Sequence, residues 1–162
     1  MTSLGKARAL AILVPAALLA GAFGSQIWGG LYPCEMCWWQ RYAHFAALAF
    51  ALLSLALARA PDRGRSFVWL AALAIATSGG IGVYHSGVEA GIFPGFTQCT
   101  TTVSGLKGDA LLKSILESPM VRCTDVQFRF LGISMAGWNA ILSLSAALII
   151  AWLSLRRPRT RP

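Results

Sequence analysis

The sequence GGLYPCEMCWWQRYAHFAALAFALLSLAL, residues 29–57, joins a helix-breaking segment, two cysteines and a mostly apolar run. Glycine and proline interrupt a helix, and proline is favoured at or just before the first turn of the next one. The string therefore predicts a turn over 29–33 and a helix that starts near Cys34 and Cys37. Because the run that follows suits a membrane interior, a dithiol is expected at the membrane surface, within reach of lipid-soluble electron carriers.

The composition of the whole chain is typical of a membrane protein. Of its 162 residues, 56% are hydrophobic and only 12% are charged, whereas soluble domains average about 25% charged residues. Four stretches are apolar enough to be membrane spans: 9–28, 42–57, 67–84 and 131–153. The second is somewhat short and contains His44. We therefore predict an all-α fold, an integral membrane four-helix bundle that forms a single domain over 1–162.

The basic residues predict the orientation of this bundle. Lysines and arginines gather before the first span, between the second and third, and after the fourth, and cytoplasmic loops near membrane helices are enriched in them. We expect both termini in the cytoplasm of a bacterium, and the loops 29–41 and 85–130, with all four cysteines, on the periplasmic side of the inner membrane. Nucleic-acid binding is not expected from the net charge of +8, because the basic residues flank apolar runs.

The first apolar stretch allows a second interpretation. Positive residues, an apolar run and the string Ala20-Gly21-Ala22 also resemble a secretory signal with a cleavage site. The apolar stretch continues through Trp28 and is longer than a usual signal core, so a retained helix is favoured. The intact mass of the purified protein distinguishes the two.

Two further patterns lie around the long loop. Gly79, Gly80 and Gly82 near the end of the third span predict close packing against another helix, with contact to a bound ring as the less favoured alternative. Within the loop, leucines and an isoleucine between 106 and 116 alternate with charged residues close to the helical period. This pattern predicts a short amphipathic helix on the membrane surface.

Cys34 and Cys37 form a Cys-x-x-Cys motif at the start of a predicted helix. The spacing brings two sulfurs close enough for a reversible disulfide, and a helix N-terminus stabilises a thiolate. One alternative is a metal site shared with Cys99 and Cys123, but 23 residues separate these two, and structural zinc sites usually use close pairs. The other is a pair of inert structural disulfides. We favour redox-active disulfides and expect no metal.

Arg41 lies one helical turn beyond Cys37, so the two share a face. An arginine near hydrocarbon is costly and usually marks a site. Its common role would be to anchor the helix end among lipid headgroups. Its more specific role would be to donate hydrogen bonds to an oxygen of a bound acceptor and to stabilise a nearby thiolate.

The string PCEMCWWQR, residues 33–41, the external loop with Cys99 and Cys123, and the string FLGISMAGW, residues 130–138, together resemble the DsbB family of disulfide-bond formation proteins. The resemblance extends over nearly the whole chain, including the number of helices and the side on which each cysteine falls. It implies an inner-membrane enzyme that reoxidises a periplasmic DsbA-like thioredoxin-fold oxidant. It also implies that a membrane quinone, ubiquinone or menaquinone, takes up the electrons.

The resemblance also implies a role for each cysteine. Cys99 would form the mixed disulfide with the partner, and Cys123 would then be resolved through Cys34. Electrons would leave from Cys37 to a quinone held near Arg41.

Gln40 and His85 are further expected quinone contacts by resemblance, although a histidine at a helix end is more often a headgroup contact. Gln40 stands where some family members have glutamate and Phe128 where many have tryptophan, which bears on affinity and not on reaction type. Two other hypotheses compete. A vitamin-K-epoxide-reductase-like enzyme is disfavoured by the short first loop and by Gln-Arg after the motif, and a non-catalytic membrane scaffold would use its disulfides only to brace the loop.

Overall fold

The computed structural model describes residues 2–95, 108 and 121–156, most of which lie in four helices. These are α1 (Ser3–Ile27), α2 (Glu35–Ala56), α3 (Arg65–Glu89) and α4 (Met135–Leu155). The predicted amphipathic helix within 106–117 lies, except for Gly108, outside the described residues, as does Cys99. The predicted helical architecture is thus confirmed for the described part of the chain.

Caps set where the helices begin. Thr2, Cys34 and Ser134 each accept, through a side-chain oxygen or sulfur, a hydrogen bond from the backbone N–H three residues later. Such bonds satisfy donors that a helix N-terminus leaves unpaired. Because a cap and not apolarity starts the helix, α1 begins ahead of the predicted span 9–28. α2 begins directly after Cys34, as the Gly-Pro segment predicts, and ahead of the apolar span 42–57.

The helices pack as a closed bundle. α3 lies against α2 on one side and α4 on the other, and α1 packs against α2 and α4. The start of α1, the end of α2, the start of α3 and the end of α4 meet at one end of the bundle, opposite Cys34. In that half the buried core is built mainly from alanine: Leu4, Ala7, Ala11, Ala47, Ala51, Val68, Ala71, Ala72, Ile75, Ala146, Ala147 and Ile150.

The glycines of α3 allow α4 to approach closely, as predicted. A Cβ atom at Gly79 would lie 2.8 Å from the Cγ of Leu144, and one at Gly82 would lie 2.9 Å from the backbone oxygen of Ala136. A Cβ at Gly80, which faces outward, would meet nothing within 4 Å. Gly79 and Gly82 therefore bring the two helices together.

Three of the four helices, α1, α3 and α4, are long and apolar enough to cross a membrane. α2 has 22 residues, or about 33 Å at ~1.5 Å per residue, but Gln40, Arg41 and His44 occupy its first half. All three side chains point inward and are 3–7% exposed, while large apolar side chains such as Leu73 and Leu148 cover the outside. The crossing by α2 stays a prediction.

A short hairpin precedes α4, where the sequence predicted the fourth span from residue 131. β1 (Arg129–Phe130) pairs antiparallel with β2 (Ile133–Ser134). The two residues between them, Leu131 and Gly132, both have positive φ, 52° and 80°, as a tight hairpin turn requires. Phe130, Leu131 and Ile133 continue the apolar pattern of the span and so concealed this turn. α4 begins four residues after the predicted start of the span.

Candidate active site

Cys34 occupies the position directly before α2. Its backbone is extended, with φ −74° and ψ 175°, and its Sγ accepts a hydrogen bond from the backbone N–H of Cys37 at 3.4 Å. Serine, threonine, asparagine or aspartate commonly fills this position. Here a sulfur fills it, so the cap also holds the two sulfurs of the motif face to face.

Three of the four cysteines meet in one place. The Sγ atoms of Cys34 and Cys37 are 2.9 Å apart, within hydrogen-bonding distance and longer than the ~2.05 Å of a disulfide bond. Cys34 also hydrogen-bonds with Cys123, and these two pack with Met36 and Val88 in a buried cluster. The last part of the long loop therefore brings its cysteine, Cys123, onto the Cys-x-x-Cys motif.

The two sulfurs of the motif differ in their affinity for a proton. Hydrogen bonds with Cys123 and Cys37, together with burial, raise the pKa of Cys34 and outweigh the backbone N–H that it accepts. The hydrogen bond with Cys34 lowers the pKa of Cys37, and the charge of Arg41 contributes in the same direction. Cys37 is therefore the favoured thiolate, and Cys34 is the proton donor of the pair. Both cysteines precede the predicted span 42–57.

A buried hydrogen-bond network connects the sulfurs to α4. Asn139 Nδ2 donates to the backbone oxygen of Ser78 at 3.1 Å, and since a carbonyl only accepts, this contact fixes the orientation of the amide. The same nitrogen donates to Gln40 Oε1 at 2.7 Å. Gln40 must then present its own nitrogen to its remaining partners.

These partners are Met36 and His85. Gln40 Nε2 donates to the Met36 backbone oxygen at 3.3 Å and to His85 Nδ1 at 3.0 Å. Since Nδ1 accepts, a neutral His85 holds its proton on Nε2, which lies 3.6 Å from Cys34 Sγ. Glu89 Oε1 lies 3.8 Å from the same nitrogen. The network thus directs an imidazole N–H at the first cysteine.

His44 is the second histidine of this network. Its Nε2 lies 2.9 Å from both Asn139 Oδ1 and Ser78 Oγ, and because the fixed Asn139 oxygen only accepts, Nε2 is the protonated nitrogen. Its Nδ1 is buried and has no hydrogen-bond partner among the described residues. A polar atom of this kind is costly unless a ligand or water meets it.

Arg41 connects α2 to α1. Its guanidinium donates to Gln26 Oε1 at 2.6 Å and to the Ala22 backbone oxygen at 3.0 Å. Its Cζ atom lies 4.5 Å from the ring centre of Phe23 and 4.9 Å from that of Trp38. The side chain is only 6% exposed, so it is not the headgroup anchor that an interfacial arginine commonly is.

A cavity of about 250 Å³ opens beside these groups. This is close to the ~300 Å³ at the lower end for small-molecule sites. One wall is polar: Cys34, Cys37, Gln40, Arg41, His44, His85 and Asn139. The other is mostly apolar and comes from α1 and the start of α4: Leu18, Leu19, Ala22, Met135, Ala136 and Trp138. An apolar ring with polar substituents would fit such a site.

The same sulfurs have the spacing of possible metal ligands. The ligand atoms of Cys34, Cys37 and His85 lie within 4.8 Å of one another. Structural zinc sites use four ligands, and a disulfide between the two cysteines would remove both thiolates. The expectation that the site holds no metal stays a prediction.

Comparison with known proteins identifies the family. The family model "Disulfide bond formation protein DsbB" matches residues 6–153. The chain belongs to the DsbB family. It is 31% identical over 135 residues to disulfide bond formation protein B of Aromatoleum aromaticum, covering 79% of each chain. It is 32% identical over 144 residues to that of Xanthomonas oryzae pv. oryzae, covering 86% of this chain and 83% of the other.

A third relative, from Marinobacter nauticus, is 29% identical over 153 residues and covers 91% of this chain and 90% of its own. No solved structure matches. The resemblance to the DsbB family is thus confirmed, and the protein is a multi-pass membrane thiol oxidoreductase of disulfide-bond formation.

In this DsbB-family chain, seven residues were predicted for the site. The structure brings five of them into contact with one another, and a sixth, Arg41, lines the same cavity. The five are Cys34, Cys37, Cys123, Gln40 and His85. The remaining one, Cys99, lies outside the described residues. His85 differs from expectation, because it lies within α3 and against a sulfur, and not after the helix or among headgroups.

Three polar residues beside the cysteines escaped prediction: His44, Ser78 and Asn139. Signals existed for two of them. Gln40 and His44 are polar residues one turn apart on a helix that becomes apolar, and Asn139 lies within the apolar fourth span. Polar groups at such positions usually face the bundle interior and one another. Phe128, a departure from the family pattern, lines the same cavity.

Proposed function

We propose that this protein oxidises a reduced, periplasmic, DsbA-like thioredoxin-fold protein and passes the two electrons to a membrane quinone, which sustains disulfide formation in other proteins. The observation that best supports the proposal is the meeting of Cys34, Cys37 and Cys123 beside a cavity with a polar and an apolar wall. Thiol exchange requires sulfurs in contact, and a lipid-soluble acceptor requires a site at membrane depth.

The first exchange uses the loop disulfide. A thiolate of the partner attacks Cys99 in a Cys99–Cys123 disulfide, which forms a mixed disulfide and releases Cys123. The partner's second thiolate then attacks its own sulfur in that mixed disulfide and frees Cys99. The partner has lost two electrons and two protons, and the loop pair has gained them.

The second exchange moves the electrons to the motif. Cys123 attacks Cys34 in the Cys34–Cys37 disulfide and releases Cys37, whose lowered pKa suits a leaving group. Cys99 then attacks Cys123, which restores the loop disulfide and frees Cys34. The hydrogen bond between Cys34 and Cys123 supports this choice of attacked sulfur.

The cavity beside the motif fits a quinone ring. Its apolar wall suits the ring, and the charge of Arg41 would offset negative charge on a ring oxygen. Gln40 and His85 line the same cavity, and His44 Nδ1, an acceptor with no partner among the described residues, would accept from an O–H of the reduced ring. A bound quinone accepts two electrons and two protons, which returns the motif to a disulfide. Cys37 delivers the electrons because it lines the cavity as the favoured thiolate, and the His85 N–H holds Cys34 in place for ring closure.

The proposed placement is the bacterial inner membrane. The chain would cross it four times, because α2 would span it over 42–57 in addition to α1, α3 and α4. The arginine-rich helix ends would then face the cytoplasm and the cysteines the periplasm. The separation of these two groups at opposite ends of the bundle supports this orientation.

The test follows the ultraviolet absorbance of ubiquinone or menaquinone analogues mixed with the purified full-length protein and a reduced thioredoxin-fold partner. Bleaching should require both the full-length protein and the reduced partner. Cys37→Ser should reduce the rate at least ~1,000-fold, because no other sulfur can close the motif disulfide. The control is Glu35→Gln, an exposed residue inside the motif, which should leave the rate within about two-fold.

Turnover that survives Cys37→Ser would contradict the assigned role of this cysteine. Absence of turnover in every form, with loss of protease resistance on reduction, would favour the scaffold hypothesis. Turnover of a quinone epoxide in place of a partner protein would favour the vitamin-K-epoxide-reductase-like alternative.

A further inference from the structure

Four arginines surround a second pocket at the end of the bundle away from the cysteines. The pocket has a volume of about 330 Å³, and its lining includes Arg8, Arg63, Arg65 and Arg156. Its remaining lining comes from the helix ends: Thr2, Ser3, Leu4 and Ala58. α1, α3, α4 and the turn between α2 and α3 therefore all contribute to one basic pocket.

Contacts within the protein hold these side chains in place. Arg8 Nη2 donates to the backbone oxygen of Arg63, and Ser3 Oγ donates to that of Arg156 at 3.2 Å. The Cζ atom of Arg156 lies 3.5 Å from the ring centre of Trp152. These contacts join α1 to the turn between α2 and α3 and to the end of α4, so the pocket is not a set of independent surface side chains.

The positive charge in this pocket is not neutralised from within. Among the residues that the structure describes, none of the four arginines pairs with a carboxylate, and Asp62 nearby bonds to Gly64 N, Ser66 N and Ser66 Oγ. The starts of α1 and α3 and the ends of α2 and α4 all lie here, so the helix dipoles oppose one another and the positive charge comes from the arginines.

Two donors in the pocket are buried and unused. Arg8 Nε and Arg65 Nε have no hydrogen-bond partner among the described residues and are closed to solvent. A guanidinium N–H without an acceptor is costly, and the planar fork of arginine matches the oxygens of a phosphate. The pocket therefore has the charge and the donors for a bound phosphate.

We propose that this pocket binds the phosphate of an anionic phospholipid headgroup. The pocket lies at the ends of helices long and apolar enough to span a membrane, which is the level of lipid headgroups, and basic pockets between helix ends are typical of anionic-lipid sites. The inference does not depend on the thiol chemistry, because the cysteines lie at the opposite end of the bundle.

The first experiment uses native mass spectrometry of the full chain with equal amounts of phosphatidylglycerol and phosphatidylcholine of identical acyl chains. The protein should retain phosphatidylglycerol at least roughly ten-fold better, since several arginines contribute. Equal retention of the two lipids would overturn the proposal, and this arm needs no variant that has to fold.

The second experiment locates the site with two double variants of equal charge change. Arg8→Gln with Arg65→Gln should reduce the preference to within about two-fold. Lys6→Gln with Arg59→Gln removes two exposed basic residues that do not line the pocket and should retain it. An equal loss in both would show diffuse attraction to surface charge and overturn the site.

A third arm separates a lipid from free phosphate, which offers the same oxygens. Inorganic phosphate at millimolar concentration should not displace phosphatidylglycerol from the wild-type protein, because the lipid is also held in the bilayer or micelle. Displacement at that concentration would assign the pocket to free phosphate and overturn the lipid assignment.

Discussion

The two halves of the bundle hold the same four helices together in different ways. In the half near the cysteines, α2, α3 and α4 are joined by buried side-chain hydrogen bonds among Gln40, His44, Ser78, His85 and Asn139. In the other half the helices meet through alanines and a few larger apolar residues. Apolar packing of small residues positions the backbone, whereas a polar network also fixes which atom faces the sulfur. The chemistry therefore depends on the first half and the architecture on the second.

The largest effect is expected where the two halves join, at Gly82. Gly82→Val should push α4 away from α3, because a Cβ there would lie 2.9 Å from a backbone oxygen of α4 and 3.2 Å from Asn139 Nδ2. We expect a loss of about 1–3 kcal/mol in the free energy of unfolding, measured by denaturant titration in detergent, together with loss of thiol oxidation.

Gly80→Ala is the matched control, two residues earlier on the same helix. Its side chain would meet nothing within 4 Å, so stability should stay unchanged or rise slightly. If the two variants destabilise the protein equally, the loss does not come from the contact between Gly82 and α4, and the close approach of α3 and α4 is wrong.

The sequence could predict the architecture because it depends on length and apolarity. Runs such as 67–84 indicate membrane helices whatever their partners, and Gly79 and Gly82 indicated close packing. The boundaries were less predictable. The Gly-Pro segment did indicate the start of α2 near Cys34, but the hairpin at 129–134 contains Phe130, Leu131 and Ile133, which continue the apolar pattern of the span that follows.

The site was predictable only as far as its residues stood out by type. Cysteines and an arginine beside a membrane span have few ordinary roles, so Cys34, Cys37 and Arg41 could be recognised. His44 and Asn139 could not be assigned, because their pairing at 2.9 Å joins helices 95 residues apart in the chain. Which helix faces bring them together depends on packing that spacing does not specify.

The next effect concerns the polar network itself. Asn139→Leu removes the donor that orients Gln40, so the Gln40 amide can rotate and His85 no longer has to hold its proton on Nε2 facing Cys34. We expect kcat/KM for the dithiol partner to fall roughly ten-fold, about 1.4 kcal/mol. The free energy of unfolding should fall by no more than the ~1–3 kcal/mol that an unpaired buried amide costs.

Ser143→Ala is the control for Asn139, since the hydrogen bond that Ser143 Oγ makes in the described part of the chain is to Asn139 Oδ1, at 2.9 Å, and not to Gln40 or His85. The ¹⁵N shifts of His85 should change in Asn139→Leu and not in Ser143→Ala. Unchanged His85 shifts in both variants would refute the orienting role and leave Asn139 as a packing residue.

A smaller effect compares the two sulfurs of the motif. Because the pKa of Cys37 is lowered and that of Cys34 raised, alkylation of Cys37 should continue as the pH falls below the ~8.5 of an ordinary cysteine. Alkylation of Cys34 should require a pH above that value. Peptide mass spectrometry of the reduced protein, treated with iodoacetamide across a pH series, measures both. If both cysteines reach half-maximal alkylation at the same pH, or Cys34 does so at the lower pH, Cys37 is not the leaving group of the exchange or the sulfur that passes electrons to the quinone.

The smallest effect separates the charge of Arg41 from its position. Gln26→Leu leaves the guanidinium charged and removes its 2.6 Å acceptor, while the bond from Arg41 to the Ala22 oxygen remains. Since one of two bonds is lost, the KM for quinone should rise only about two- to three-fold and the KM for the partner protein should not change. Arg41→Lys retains the charge but loses the planar fork, and should raise the quinone KM by more. Equal rises in both Michaelis constants would mean that Arg41 merely joins α1 to α2. A residue that serves only the acceptor cavity should leave the encounter with the partner protein unchanged.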